Sequence, residues 1–469
     1  MAQSKPQQAI LGILSPGFGG TSLPDYMRRY LDFGLGGITL FGSNTPDFES
    51  TVRIVEEIRS RNPNCVISID EEAGDVTRIW ARSGSPYPSP YLLGRVDDVG
   101  LTQRVFANLG AALSQAGVDM TFGPVLDLTV SMDNPIVGVR SFGADPELVA
   151  RHGSAAVMGL QAAGIQAAAK HFPGHGDTSA DSHHDLPAIQ RSLAEMRARD
   201  LVPFQAAIAA GVRAIMVGHL LVPAVDSVAA SLSGIWSRDI LRAELGFEGL
   251  VVTDALDMGA LGGIPKIDRS AISAMRAGAD LLCLSGIADQ EAIVEAILRE
   301  AEIVLTDSDL VQIQNSVARL RASRAMEPPS FSDSHFDPSD FTGGLQWHGD
   351  LSLDRASTAV LTLEASPTVA SGVISWGVEE SLVSNGYGIG QFDTAKTRIV
   401  QFRDAWRDSI ILERLEMMRA EHPDALFIDF GWPTLSFEPK NLIRAFGASR
   451  AHADSVANLL RNFSLAPRV

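Results

Sequence analysis

Four of the ten histidines of this chain fall in one stretch, KHFPGHGDTSADSHHDLP (170–187), beside Lys170, Asp177, Asp181 and Asp185. Its glycines and prolines forbid a regular helix, so it reads as a polar loop leaving a strand. In extended chain, residues i and i+2 point the same way, so Asp181 can reach the ring of His183. A carboxylate so placed fixes one imidazole tautomer and raises the ring's pKa toward that of a useful proton donor. Two other readings compete with acid–base chemistry. One is a solvated loop, although such loops seldom concentrate histidine. The other is a metal centre, since His and Asp ligate zinc; against it, there is no H-E-x-x-H and the first histidine in the chain is His152. We therefore expect no metal and no cofactor.

A second signal is GFEGLVVTDALDMGA (246–260), where an apolar strand runs straight into Asp254. A carboxylate in that position can simply cap the next helix. If the histidine loop opens on the same side of the fold, a nucleophile is the better reading. Retaining glycoside cleavage needs this pair of parts: a carboxylate to attack the anomeric carbon, and a separate group to protonate the leaving oxygen.

The elements that must hold these residues recur along the first three hundred positions. Strand-like runs occur at 9–15, 36–42, 65–70, 118–124, 165–172, 213–220, 249–256 and 279–285. Between them, segments such as 47–61, 145–164 and 193–211 space their apolar residues at three and four. Eight strands alternating with helices predict a parallel (β/α)8 barrel of the TIM type. A doubly wound sheet is the alternative, but no G-x-G-x-x-G follows the first strand. Asp70, Lys170, His171, His219 and Asp254 each fall at or just past the carboxyl end of a run, the face where barrel loops converge.

The domain plan follows: a catalytic barrel over 1–325, a Pro-, Ser- and Asp-rich linker over 326–344, and a small α/β domain over 345–469. In that last part 358–364, 372–377 and 424–431 look like strands, and 401–422 and 448–462 like helices. Hydrophobic residues make up 45% and charged ones 20%, as in a soluble enzyme with an ample core. A net charge of −18 with no basic cluster argues against a nucleic-acid partner. Cys65 and Cys283 sit in apolar runs and read as buried thiols rather than a disulfide framework. The opening residues lack a secretory h-region with a cleavage site, and no stretch can span a bilayer. A cytoplasmic protein without membrane partners is expected.

KHFPGHGDTSADSHHDLP and VVTDALDM together resemble glycoside hydrolase family 3, in its β-N-acetylglucosaminidase branch. GGITLFGSN (36–44), ISIDEEAGDVTRI (67–79), FGPVLDL (122–128) and VRSFGADP (139–146) extend the match over essentially the whole barrel. The resemblance implies a retaining exo-β-N-acetylglucosaminidase that removes terminal β-linked N-acetylglucosamine from small glycans or muropeptides through a covalent glycosyl-enzyme. It implies Asp254 as nucleophile and His183, supported by Asp181, as acid/base. Asp70, Arg78, Arg140, Lys170 and His171 would hold the sugar, with His175 and His219 lining the same site. Ala73 stands where the family usually has the first Gly of D-x-E-G-G-x-V-x-R, a change expected to alter the loop slightly and leave Asp70 and Arg78 in place. The C-terminal part is a weaker match, and need not contribute to the chemistry.

Four alternatives stay open at this level. A histidine acid/base brings no second negative charge against an incoming anion, so phosphate can replace water and the enzyme becomes a phosphorylase. Asp70-Glu71 superficially suits a hexosaminidase in which the substrate's own acetamido oxygen attacks, although IDEEAG does not resemble that motif. Outside glycoside chemistry, a metal-dependent barrel hydrolase or a non-catalytic carbohydrate-binding protein remains.

Overall fold

The computed structural model describes residues 3–131, 134, 136–178, 186–286, 289–323 and 336–465. Two compact units emerge. One comprises 1–72, 99–137 and 143–333; the other comprises 73–98, 138–142 and 334–469. Two short segments of the first 325 residues thus group with the C-terminal part.

The first unit is the barrel. Its strands are β1 (Leu14–Ser15), β2 (Gly37–Leu40), β3 (Val66–Ile69), β4 (Met120–Thr121), β5 (Gln166–Phe172), β6 (Ala214–Val217), β7 (Leu250–Thr253) and β8 (Leu282–Cys283). Each lies within one of the eight expected runs. β2 to β7 form one parallel sheet in sequence order. A parallel bridge from Val252 to Leu281 joins β7 to β8, and β8 pairs with β1. The Thr39 amide then donates to the Pro16 carbonyl at 3.2 Å, closing the ring beside β2. GITL, VISI, AIMV and LVVT are buried throughout. That explains why they read as continuous apolar runs: helices cover the outer face of a parallel barrel and side chains fill its interior.

The expected helices form at Phe48–Arg61 and Pro146–Ala162, capped by Asp47 and Asp145. The second of these packs closely on Val99–Gln115: a Cβ on Gly159 would lie 2.4 Å from the Gln103 carbonyl oxygen, so only glycine fits. Two expectations need correction. Residues 9–11 of the first run belong to a helix, Lys5–Leu11, started by a Ser4–Gln7 capping box. The 193–211 segment is two helices, Leu193–Ala198 and Val202–Ala209. Pro203 sits in the first turn of the latter, where a missing N–H costs nothing but a continuous helix would clash.

The second unit carries strands β9 (Gln346–His348), β10 (Thr358–Glu364), β11 (Thr397–Arg403), β12 (Leu426–Asp429) and β13 (Asn441–Arg444). Their order is β10-β11-β12-β13-β9, parallel except for the β9 edge. Helices Ser409–Glu421 and Arg450–Leu465 complete an α/β domain whose core includes Leu363, Val400, Phe402, Leu415, Phe427 and Phe437. Residues 372–377 are not a strand: Gly372 and Gly377 have φ of +63° and +115°, far from extended backbone. The helix expected from 401 begins only at Ser409, because 397–403 is β11 and Asp404, at φ +50°, turns the chain. Among the described residues no helix is long and apolar enough to cross a membrane.

Candidate active site

The carboxyl ends of the barrel strands carry the ionisable groups. β3 runs into Asp70, Glu71 and Glu72, β6 into His219, and β7 into Asp254. β5 itself bears Lys170 and His171. Opposite β6 its register slips by one residue between Ala169 and Phe172, so an extra residue is accommodated where those two side chains lie.

The Lys170 ammonium is 2.9 Å from Asp70 Oδ1 and 2.5 Å from Glu72 Oε1. Lys170 is 3% exposed and Glu72 1%. Buried ions cost several kcal/mol each unless paired, so this triad is maintained only because each charge has a counter-charge. Asp127 is the second hub. One oxygen receives the His171 ring Nδ1–H at 2.6 Å, and the other the backbone N–H groups of His171 (3.1 Å) and His175 (2.7 Å). Burial alone would raise the Asp127 carboxyl; the two neighbouring rings and their N–H donors outweigh it and hold the group below its ordinary value. The carboxylate also fixes the His171 tautomer, leaving Nε2 as the outer ring atom.

His175 lies edge-on to His171, with centroids 5.8 Å apart, and its Nδ1 pairs with Thr178 Oγ1 at 2.9 Å. A Cβ on Gly176 would fall 1.6 Å from the Leu128 carbonyl oxygen, so glycine is required where this loop crosses residue 128. Asp254 continues the ladder by donating its N–H to the Val217 carbonyl, and its Oδ1 accepts the Ala255 N–H at 2.8 Å. The Ala255 carbonyl in turn accepts His219 Nε2–H at 2.9 Å, and His219 Nδ1 pairs with Ser231 Oγ at 2.8 Å. Asp257, the other carboxylate of VVTDALDM, binds Ser285 and Gln290 instead. At the end of β8, burial raises the Cys283 thiol well above the ordinary value, and the charges of Asp254 and Asp70 both add to that.

Thus Asp70, Lys170, His171, His175, His219 and Asp254 share the carboxyl end of one barrel. Arg78 and Arg140 belong to the second unit. There Arg78 Nη1 donates to the Ala370 carbonyl at 2.9 Å, and Arg140 is 8% exposed at the end of a 3-10 turn. Ala73 adopts φ +71°, in the left-handed region that favours glycine. Asp181 and His183 lie outside the described residues. Arg191 Nε donates to Asp177 Oδ2 at 2.7 Å and so links the flanks of their segment, while the Ile189 amide donates to the Leu221 carbonyl, beyond β6, at 2.8 Å. Among the described residues no three His, Cys, Asp or Glu side chains are grouped to hold a metal ion.

The family model described as the glycosyl hydrolase family 3 N terminal domain matches residues 27–321. The chain belongs to glycosyl hydrolase family 3. It is 38% identical over 271 residues to a β-hexosaminidase of Chromobacterium violaceum, covering 56% of this chain and 75% of that one. To a β-hexosaminidase of Neisseria meningitidis serogroup C it is 33% identical over 340 residues, covering 68% and 92%. Among solved structures, a family 3 β-N-acetylglucosaminidase from Paenibacillus sp. FPU-7 superposes with a TM-score of 0.85 at 27% identity, covering 98% of this chain and 97% of that one. This family 3 member is accordingly a glycoside hydrolase, and the matched span contains every strand-end group described above.

Glu72 and Asp127 are the buried partners of Lys170 and His171 that sequence reasoning missed. Both lie in stretches that carry the family resemblance, IDEEAG and FGPVLDL. Glu72 stood two residues past a strand-end acid already chosen, and Asp127 six residues beyond β4. Only the folded path brings the latter under β5.

His175 gives this site a pH-dependent contribution to stability. Burial, aided by His171, depresses its pKa from 6.5 to about 4. Between those values the unfolded chain binds a proton that the folded chain does not, so this contribution is complete above pH 6.5 and shrinks as the pH falls. In His175→Asn, whose amide can retain the bond to Thr178, that dependence is absent. The difference in Tm between wild type and variant, followed from pH 7.5 to 4.5, is therefore expected to narrow or reverse on acidification. Parallel curves would show that His175 is not kept neutral by the fold.

Proposed function

We propose that this glycoside hydrolase is a retaining exo-β-N-acetylglucosaminidase. The observation that carries the reading is the setting of Asp254: a carboxylate at the end of a barrel strand, oriented by the Ala255 amide, on the same barrel end as the Lys170–Asp70–Glu72 triad. The names of the relatives and of the structural neighbour support the choice of sugar. In this mechanism Asp254 attacks the anomeric carbon while protonated His183, steadied by Asp181, gives its proton to the leaving oxygen. Water, deprotonated by the same His183, then releases the sugar from Asp254. Asp70 accepts hydrogen bonds from sugar hydroxyls, and Lys170, Arg78 and Arg140 donate to the sugar, with His171 and His175 beside them. His219 acts one step back, holding the Ala255 carbonyl next to the nucleophile. A cytoplasmic setting and small imported wall fragments as substrates fit this reading.

The test is turnover of an aryl β-N-acetylglucosaminide against the matching glucoside, with the product's anomeric form followed by NMR. Selective cleavage with first release of the β-anomer is expected. Release of the α-anomer, or equal turnover of the glucoside, would overturn the proposal. Repeating the assay in phosphate and looking for a sugar 1-phosphate distinguishes transfer to phosphate from hydrolysis.

A further inference from the structure

Within the barrel, the Asp127 carboxylate meets the His171 ring from a fixed direction. Past β4 the chain stays paired with β5: the Lys170 amide donates to the Pro124 carbonyl at 3.0 Å, and the Lys170 carbonyl accepts the Leu126 amide at 2.6 Å. That pairing carries Asp127 to the level of His171. Beyond β5 the Gly174 amide donates to the His171 carbonyl at 2.7 Å and closes a turn. Asp127 Oδ1 accepts the backbone N–H groups on either side of this turn, those of His171 and His175. Its other oxygen, Oδ2, lies 2.6 Å from His171 Nδ1.

Asp127 is 1% exposed and His171 6%. Burial alone would raise the Asp127 carboxyl, yet its two histidine neighbours hold it below its ordinary value. An anion has no proton to give, so the hydrogen of this contact sits on Nδ1. In the neutral ring Nε2 then carries the lone pair. On the β6 side the ring is backed by Gly218, where a Cβ would lie 3.1 Å from that of His171.

We propose that Asp127 is a positioning residue that sets the polarity of His171, so that Nε2 accepts a hydrogen bond from one sugar hydroxyl instead of donating to it. The proposal rests on the reading of His171 as a sugar-binding residue, and it adds what that residue asks of the substrate. Lys170, next to it on β5, can only donate. The two neighbours therefore read opposite sides of hydrogen bonding, and a hydroxyl can answer both. A fluorine on the same carbon has no hydrogen to offer, and a site built around that hydrogen rejects the analogue.

Asp127→Asn separates this role from a merely structural one. The two backbone N–H groups keep the amide oxygen at the Oδ1 position, so its NH2 faces His171 Nδ1. Nδ1 becomes the acceptor and Nε2 the donor: the turn is retained and the ring is reversed. The experiment uses the full chain, an aryl N-acetylglucosaminide and its 3-, 4- and 6-deoxyfluoro analogues. Fluorine also slows the chemistry itself, but equally in both enzymes, so the readout is the ratio of kcat/KM for hydroxyl over fluorine. At one position that ratio is expected to fall about tenfold in Asp127→Asn, while KM for the parent sugar rises about threefold. In His171→Ala the ratio is already low, and adding Asp127→Asn lowers it no further. Nitrogen-15 spectra of histidine-labelled wild type at pH 8.5, with His171 assigned from its loss in His171→Gln, should show a protonated Nδ1 and a bare Nε2, reversed in Asp127→Asn. If Asp127→Asn does not fold, the wild-type spectrum and the His171→Ala ratios decide. A protonated Nε2 in the neutral wild-type ring overturns the proposal. So do ratios unchanged by Asp127→Asn at all three positions while His171→Ala lowers one. Unchanged KM and ratios in His171→Ala are a different failure, since they remove the sugar-binding reading on which the role depends.

Discussion

Asp254→Ala is expected to lower kcat on the order of 10⁴-fold while leaving the barrel folded. The variant removes the proposed attacking oxygen and the acceptor of the Ala255 N–H, but the backbone N–H of residue 254 still donates to Val217, and His219 still holds the Ala255 carbonyl. Azide separates a nucleophile from a merely electrostatic carboxylate. With the Asp254 side chain gone, a small anion can enter the vacated face and displace an activated aryl leaving group once, so rescue by azide yields the α-glycosyl azide. In wild type, a fluorinated glycosyl donor should label Asp254 and no other peptide. A label on Asp70 or Glu71, or rescue that retains the β-configuration, would sink the assignment. A small loss in Asp254→Ala coupled with strong inhibition by a thiazoline-type sugar would favour attack by the substrate's own acetamido group.

The barrel was legible because its physics leaves a simple trace. Strands buried on both faces are apolar without alternation, and the charges that break them fall where the chain leaves the sheet, as at Asp70, His219 and Asp254. The C-terminal sheet left a fainter one. GVISWG has strand composition, yet two glycine backbones in left-handed conformations bend it away from any ladder. TRIVQFR pairs along its whole length in β11, yet its polar ends and the helix-like residues that follow obscured it. The strand-end groups divide in the same manner. Residue type and run boundaries were enough to place Asp254, Lys170 and His171 at one end of the barrel. They were not enough for the partners Glu72 and Asp127, because a carboxylate six residues past β4 comes under β5 only through the path of the folded loop. Nor does linear order reveal that Arg78 and Arg140, embedded in the barrel sequence, belong with the C-terminal unit.

The second large effect concerns His183, and its size depends on what leaves. In the proposed mechanism His183 protonates the leaving oxygen, a contribution of about 10²–10⁴-fold for general acid catalysis. A nitrophenolate needs little protonation, whereas a sugar alkoxide needs nearly a full proton. His183→Ala should therefore cost an aryl substrate little in the first step and a disaccharide close to the full factor. The second step then separates the possible acceptors. Water must give up a proton to attack, so without His183 the glycosyl-enzyme accumulates and aryl substrates show a burst followed by slow turnover. Phosphate arrives already anionic and needs no base, so added phosphate should shorten that stall in His183→Ala and yield a sugar 1-phosphate. Asp181→Asn should act through the ring alone, shifting the limb of the pH–rate profile that reports His183 toward lower pH and reducing kcat less than His183→Ala does. Equal losses for aryl and disaccharide substrates in His183→Ala would mean that another group supplies the proton.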